Sequence, residues 1–391
     1  MKVSLCITIF NEEKGIKNLL TSLTDQNKKA DEIVIIDGGS DDGTVDIVKK
    51  YKNNYTNIKL LIKKCTRSEG RNLSVKNAKH NIIAMTDADC IAKGDWLKKI
   101  TSPFKDNKVG IVAGYYDMKC ESSLQEAFSV FLGIYPDDLN ENFLPSTRSI
   151  AFRKDIWKKI GGFTETEGNS AEDTDFNYKA VKNGARYFLA KDARVVWRTP
   201  DNFKEYINKI FSYAKWDSEN GEWIHPVKGL LSHNLKVLLV FIRYIFGVFL
   251  LINSFRSDYL MLLTSVMLLS YFLWSFRKVF KRTKNIRSGV IGILVQIITD
   301  ISVMGGFVYG MKHNKKIMQL ISSFIFAIFS FYITVLFYRS LIHIKRIVSE
   351  FKYGVDPYYS DVVPCGDNNT FPEFDKQMLL RYRNIGQKCQ E

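Results

Sequence analysis

Val3-Ser4-Leu5-Cys6-Ile7-Thr8-Ile9-Phe10 runs directly into Asn11-Glu12-Glu13, and this junction decides how the first half of the chain is read. The same pattern recurs twice. Glu32–Ile36 runs into Asp37-Gly38-Gly39-Ser40, and Asn81–Thr86 runs into Asp87-Ala88-Asp89. A strand that is apolar along its length is covered on both faces, as in a parallel sheet flanked by helices. Ligands of such sheets bind at the carboxyl ends of the strands. These ends carry carboxylates, which repel phosphate. The economical reading is a divalent cation bridging them to a polyphosphate ligand.

Outward from these junctions, strand-like runs at 3–9, 32–36, 58–62, 81–86 and 109–115 alternate with helical patterns near 12–24, 43–52, 68–79 and 94–102. This rhythm predicts an α/β domain with a mainly parallel sheet. After Gly114 the rhythm loosens, and 120–147 has weak periodicity. Regularity returns at Ser149–Phe152, at Trp157–Phe163 and in a helical stretch over 171–183. No internal repeat or low-complexity segment is present.

Taken alone, Asp87-Ala88-Asp89 reads as a solvated turn, and Asp37-Gly38-Gly39-Ser40-Asp41-Asp42-Gly43 reads as a polar loop. Placement changes this, because each acidic motif closes an apolar run within the first 90 residues. The junctions resemble the opening of family 2 glycosyltransferases. Gly70-Arg71-Asn72 continues the match. So do Ala151-Phe152-Arg153-Lys154 before Ile160-Gly161-Gly162-Phe163, and then Glu172-Asp173-Thr174-Asp175. The resemblance covers about residues 1–220 and implies a GT-A fold, a nucleotide-diphospho-sugar donor and Mg²⁺ or Mn²⁺ as cofactor.

Carried over residue by residue, the resemblance implies that Asp37 and Asp87 contact the nucleoside. Thr8, Asn11, Glu12, Arg71 and Glu172 join the donor pocket, and Asp89 ligates the metal. A hard divalent cation takes oxygen ligands and acts as a Lewis acid on the leaving diphosphate. Asp173 is the implied general base, removing a proton from an acceptor hydroxyl as it attacks the anomeric carbon from the opposite face. Read without the resemblance, Glu172-Asp173 is an acidic first turn of a helix, favoured by its dipole.

Two departures narrow the reading. The family's Asp-Asp-Gly-Ser is Asp37-Gly38-Gly39-Ser40 here, so one carboxylate is missing, with Asp41 or Asp42 as substitutes. The Gln-x-x-Arg-Trp of processive synthases is matched only by Ser212-Tyr213-Ala214-Lys215-Trp216. That favours transfer of one or a few sugars, with Lys215 and Trp216 at an acceptor or interface position. The leading function is an inverting transfer to a hydroxyl of a lipid-linked or membrane-proximal saccharide. The alternative is a polyprenyl-phosphate sugar synthase. A nucleotidyltransferase would need a basic Gly-rich loop where Asn11-Glu12-Glu13 stands. A scaffold with a degenerate domain is disfavoured by the retained Asp89 and Asp173.

The net charge of +15 suggests nucleic acid or an anionic membrane as partner. Hydrophobicity decides for the membrane, since from about Leu235 to Tyr338 long apolar stretches are separated by basic clusters. Segments 236–254, 259–276, 289–310 and 317–338 are predicted to span, as each approaches the ~20 apolar residues required. Arg243 and Asp300 lie within them, paired across the bundle or serving an acceptor lipid. Arg277, Lys278, Lys281, Arg282, Lys284 and Arg287 predict a cytoplasmic 277–288 loop. The catalytic domain then faces the cytosol, with Lys312, Lys315 and Lys316 awkwardly outside. Residues 202–216 predict an amphipathic helix in the membrane interface or facing a core. The expected organisation is therefore a GT-A domain at 1–200, an interfacial helix and linker at 201–234, about four spans at 235–338 and a cytosolic tail at 339–391. The cysteines are scattered, and Met1-Lys2-Val3 leads into too short an apolar run for a signal peptide; both fit reduced thiols in a cytosol-facing protein.

Overall fold

The computed structural model describes residues 1–140, 142–165, 172–221, 223, 227 and 233–312. Its first half builds β1 (Val3–Ile9), α1 (Ile16–Thr24), β2 (Glu32–Asp37), α2 (Thr44–Asn54), β3 (Ile58–Ile62), α3 (Arg67–Asn77) and β4 (Ile82–Met85). These strands pair in parallel in the order β3-β2-β1-β4. Alternate residues of each strand feed two cores. Leu5, Ile7, Ile9, Ile33 and Ile35 pack under α1, while Cys6, Val34, Ile36, Ile83 and Met85 pack under α3 and later elements. Coverage on both faces is what made these strands read as continuous apolar runs. Helix α3 starts on a capping box, with Thr66 accepting from Glu69 N and Glu69 accepting from Thr66 N.

The remaining elements are β5 (Cys90–Ala92), α4 (Trp96–Thr101), β6 (Ile111–Lys119), α5 (Ser123–Leu132), β7 (Ile150–Arg153), α6 (Lys154–Lys159), α7 (Glu172–Lys182) and β8 (Tyr187–Arg198). They extend the sheet through β7-β6-β8-β5. Here β7 lies antiparallel to both β4 and β6, β5 is antiparallel to β8, and only β6–β8 is parallel. The eight-stranded sheet is therefore mixed, and the expected parallel character belongs to its first four strands. The rest was hidden because β5 is only three residues long and β8 alternates, burying Ala193, Val195 and Trp197 between more exposed neighbours. Within the weakly periodic 120–147 lies α5, capped by Ser122 accepting from Gln125 N.

Four long helices follow: α8 (Phe203–Asn220), α9 (His233–Ser254), α10 (Asp258–Thr283) and α11 (Ile286–Met311). The last three are long and apolar enough to cross a membrane. The predicted segment 317–338 and the tail 339–391 lie outside the described residues. Helix α10 continues through the basic stretch that sequence alone read as a loop, leaving only a short link at 284–285. Arg243 and Asp300 pair with each other at 2.5 Å. Tyr244 and Tyr271 donate to the same carboxylate oxygen, and Gln296 donates to the other. The pairing across the bundle is thus the arrangement found. The apolar face of α8 is also turned inward: Tyr206 and Ile210 are buried, and Tyr206 stacks on Phe128 of α5 with ring centroids 4.1 Å apart.

Candidate active site

A cleft of about 780 Å³ opens at the carboxyl ends of β1 and β4. One wall comes from the sheet and α3, with Thr8, Phe10, Glu12, Arg71, Asp87 and Asp89. The other comes from α8, with Glu205, Asn208, Lys209, Ser212, Tyr213 and Trp216. These α8 positions recur at helical spacing on one face, while Tyr206, Ile210, Ala214 and Ser218 are buried on another.

On the sheet wall, α3 lies so close to β1 that a Cβ at Gly70 would collide with the Thr8 side chain. That approach aims the neighbouring Arg71 inward. Arg71 is buried and bridges Asp87, at 2.7 Å, and Glu172. Burial works against a charged Asp87. The guanidinium groups of Arg71, Arg148 and Arg67 more than reverse it and hold its pKa down at about 2. Asp87 is therefore a permanent anion at any physiological pH. Glu172 has its second carboxylate oxygen buried with no partner among the described residues.

Asp89 accepts from the Trp197 indole at 2.7 Å and has the Lys209 ammonium 3.9 Å away. Its charge also reaches Glu12, whose pKa is raised to about 7 by burial and then by repulsion from Asp89. Lys209 is pushed down to about 8 by burial, against the pull of Asp89. The three charged groups and the Trp197 indole gather beyond the end of β4.

Asp37 does not line the cleft. It is fully buried and accepts from Gly39 N, Ser40 N and the Ser40 hydroxyl, so it shapes the following loop. Asn11 is exposed, with a left-handed φ of 51° that asparagine tolerates, and clamps that loop by accepting from Asp41 N and donating its own N–H to Ser40 Oγ. Asp42 is spent on Thr44 and Glu13 N, so it does not replace the missing carboxylate in the cleft. Asp173 opens α7 beside Glu172 and the Arg71 cluster. Burial and the Glu172 charge raise its pKa, while Arg71 and Arg148 oppose the rise.

With this geometry in view, residues 4–161 match the family model described as glycosyl transferase family 2. This part of the chain is a family 2 glycosyltransferase domain. The chain is 25% identical over 221 residues to the glycosyltransferase AglE of Haloferax volcanii, covering 54% of this chain and 72% of that protein. It is 26% identical over 284 residues to a dolichyl N-acetyl-alpha-D-glucosaminyl phosphate 3-beta-D-2,3-diacetamido-2,3-dideoxy-beta-D-glucuronosyltransferase of Methanococcus voltae, covering 65% of this chain and 87% of that enzyme. Among solved structures, the mannosyltransferase PcManGT from Pyrobaculum calidifontis, in complex with GDP-Man and Mn²⁺, superposes with a TM-score of 0.58 at 18% identity. The match covers 75% of this chain and 86% of that one. The likeness establishes the GT-A fold.

The glycosyltransferase cleft also holds residues that sequence reading missed, chiefly cations. Arg148 lies over the rings of Trp197, at 4.1 Å, and Tyr116, at 5.0 Å, and donates to the Tyr213 hydroxyl at 3.0 Å. It has no carboxylate within ion-pair distance among the described residues, and its Nε is buried without a partner among them. Arg67 and Lys64 also line the cleft, so its rim is not simply acidic. The one available signal was Arg148 shortly before Ala151-Phe152-Arg153. Of the two residues matched to the processive motif, Trp216 lines the cleft. Lys215 instead lies over Trp216 and over Tyr309 of α11.

Glu12 and Asp89 are hard oxygen donors whose charges repel, a donor set that suits Mg²⁺ or Mn²⁺. Among the described residues, no group of three or more His, Cys, Asp or Glu forms a self-sufficient metal cage. Such a cation would take one or two carboxylates and fill its remaining positions with substrate phosphate and water.

Proposed function

We propose that the chain is an inverting glycosyltransferase that moves a sugar from a nucleotide-diphospho-sugar to a hydroxyl of a lipid-linked or membrane-proximal saccharide. The observation that carries this reading is the single cleft in which Asp89, Glu12, Arg148 and Lys209 converge at the strand ends. The Methanococcus voltae relative, named for transfer to a dolichyl-phosphate-linked sugar, supports the acceptor class.

In this reading the donor nucleoside sits against Arg71 and Asp87, which are fixed by their ion pair. Arg148, Arg67 and Lys209 face the diphosphate as its charge grows on departure. Preorganised cations in a partly dry site stabilise developing charge strongly. Asp89, with Glu12, would hold Mg²⁺ or Mn²⁺, which when bound supplies Lewis-acid neutralisation of the diphosphate. Asp173 removes the acceptor proton, and its raised pKa suits that task, because a base works best when its pKa approaches the working pH. Displacement from the opposite face inverts the anomeric carbon. The basic end of α10 faces the catalytic domain through Arg282–Asp138 at 2.5 Å, and the positive-inside rule then assigns both to the cytosol.

The test is transfer and hydrolysis with a panel of nucleotide sugars in detergent, on parent and Asp173→Asn. The variant should bind donor normally and lose turnover. Wild-type transfer to polyprenyl phosphate by that variant would select the synthase alternative, since an ionised phosphate needs no base.

A further inference from the structure

Helices α9, α10 and α11 are all long and apolar enough to span, yet their surroundings differ. Helices α9 and α10 form an antiparallel hairpin, tied by Thr264 to Leu250 O and by Tyr244 to Tyr271, with apolar side chains exposed along both. Helix α11 instead touches the catalytic domain from its first turn to its last. Ser288 donates to Glu126 of α5, and Thr299 shares a hydrogen bond with Tyr206 of α8. A Cβ at Gly306 or Gly310 would strike the α8 backbone at Phe211 or Lys215.

From residue 288 to 310 these contacts extend roughly 33 Å at ~1.5 Å per residue. That exceeds the ~30 Å hydrocarbon core of a bilayer. If α11 crossed the membrane, α8 would be carried in beside it, together with the cleft residues Glu205 and Lys209 on its other face. The cleft that Glu205 and Lys209 line is open to solvent, and immersing its charged wall in hydrocarbon would carry a large cost.

We infer that α11 does not span the bilayer but lies along its surface, with only the α9–α10 hairpin inserted. Its exposed residues fit that surface. Ile286, Val290, Leu294, Ile301 and Val308 are exposed and fall within about 80° of the helix circumference, at 3.6 residues per turn. The buried Ser288, Val295, Thr299 and Gly306 lie on the opposite face. The occupant of the exposed stripe is the lipid bilayer, because the hairpin packed against α11 exposes apolar side chains as well and the stripe starts just after the basic end of α10. This placement also eases the charge conflict in the sequence, since Lys312, exposed just after α11, then follows a helix that never leaves the catalytic side.

The inference rests on membrane association and not on the transfer reaction. In sealed vesicles, single cysteines added at Lys49, Arg287 and Lys312 are treated with a membrane-impermeant maleimide, and labelling is read above the parent chain. All three should label from one side. Labelling of position 312 from the side opposite to 49 and 287 would overturn the inference. Nitroxides at positions 290 and 301 should collide with lipid-soluble oxygen and be shielded from an aqueous nickel chelate. Exposure to nickel, or shielding from both by the C-terminal segment, would equally overturn it. Release of the whole chain by carbonate would instead defeat membrane association itself.

Discussion

The two walls of the cleft are built by different means. The sheet wall is held by backbone: Thr8, Glu12, Asp87 and Asp89 stand at or just beyond strand ends whose register is fixed by parallel pairing. The α8 wall is held by side chains, through Tyr206, Ile210, Ala214 and Ser218 packed on α5 and α11. One wall belongs to the sheet, and the other depends on helices long and apolar enough to cross a membrane. Val279 and Val295 of the apolar helices share a core with β1, α1 and α5, so the two halves are not separable modules. A chain cut near residue 229 would expose the inner face of α8, where Ala214 and Ser218 meet Gly306 and Phe307.

The largest effect should come from the proposed general base. Asp173→Asn is expected to lower turnover by ~10²–10⁴ with donor affinity nearly unchanged, since a positioned base is worth that factor. Asp173 is raised by burial and by Glu172, and it must be ionised to act. Turnover should therefore fall as the pH drops through a point above the ~3.9 of a free aspartate. That acid limb should vanish in the variant. A pH–rate profile of both proteins checks the sign.

Arg148→Gln sharpens the contrast, because Arg148 touches both walls through Trp197 and Tyr213. Losing a charged hydrogen-bond donor to phosphate should weaken nucleoside diphosphate binding by about 10–100-fold. Nucleoside monophosphate should lose much less, and titration calorimetry with UDP, UMP, GDP and GMP reads the difference. Lysine at the same position should recover part of it.

A smaller effect on turnover is expected from Arg243→Met, which lies away from both walls. It leaves Asp300 buried beside tyrosine hydroxyls and Gln296 but without its cation. Arg243 is itself partly exposed, so leaving the buried Asp300 without it costs about 1–3 kcal/mol. The thermal midpoint in detergent should fall, and removal of Asp300 as well should restore much of it. A turnover loss larger than that of Arg148→Gln would mean that the pair serves the reaction.

The two walls also differ in how much of them sequence could reveal. Apolar runs closing on carboxylates announced Glu12, Asp87 and Asp89, because burial on both faces forces continuous hydrophobicity and the polar end must then be solvent-facing or functional. Asp37 carried the same signal but turned inward, since Gly39 and Ser40 offered its carboxylate three donors. Arg148 was silent because its role depends on rings from β6 and β8, distant in sequence and joined only by folding. Helix α11 read as a span because its outward side is apolar and the side toward α8 is lined by small residues such as Thr299, Gly306 and Gly310. Hydropathy adds the two faces together and cannot separate them.

The central claim is that α11 sets the position of the α8 wall. Leucine at Gly306 and Gly310 together should push α8 outward, since the backbone of Phe211 and Lys215 leaves no room for a side chain. Overpacking of this kind costs about 1–3 kcal/mol. A Cβ at Gly247 of α9 meets nothing within 4 Å, so leucine there serves as the control. The decisive measurement is donor-nucleotide affinity of the three membrane-bound proteins. The account predicts roughly tenfold weaker binding in the double variant, with the Gly247→Leu chain and the membrane-bound fraction unchanged. Parent-like affinity in a double variant that remains folded would contradict it.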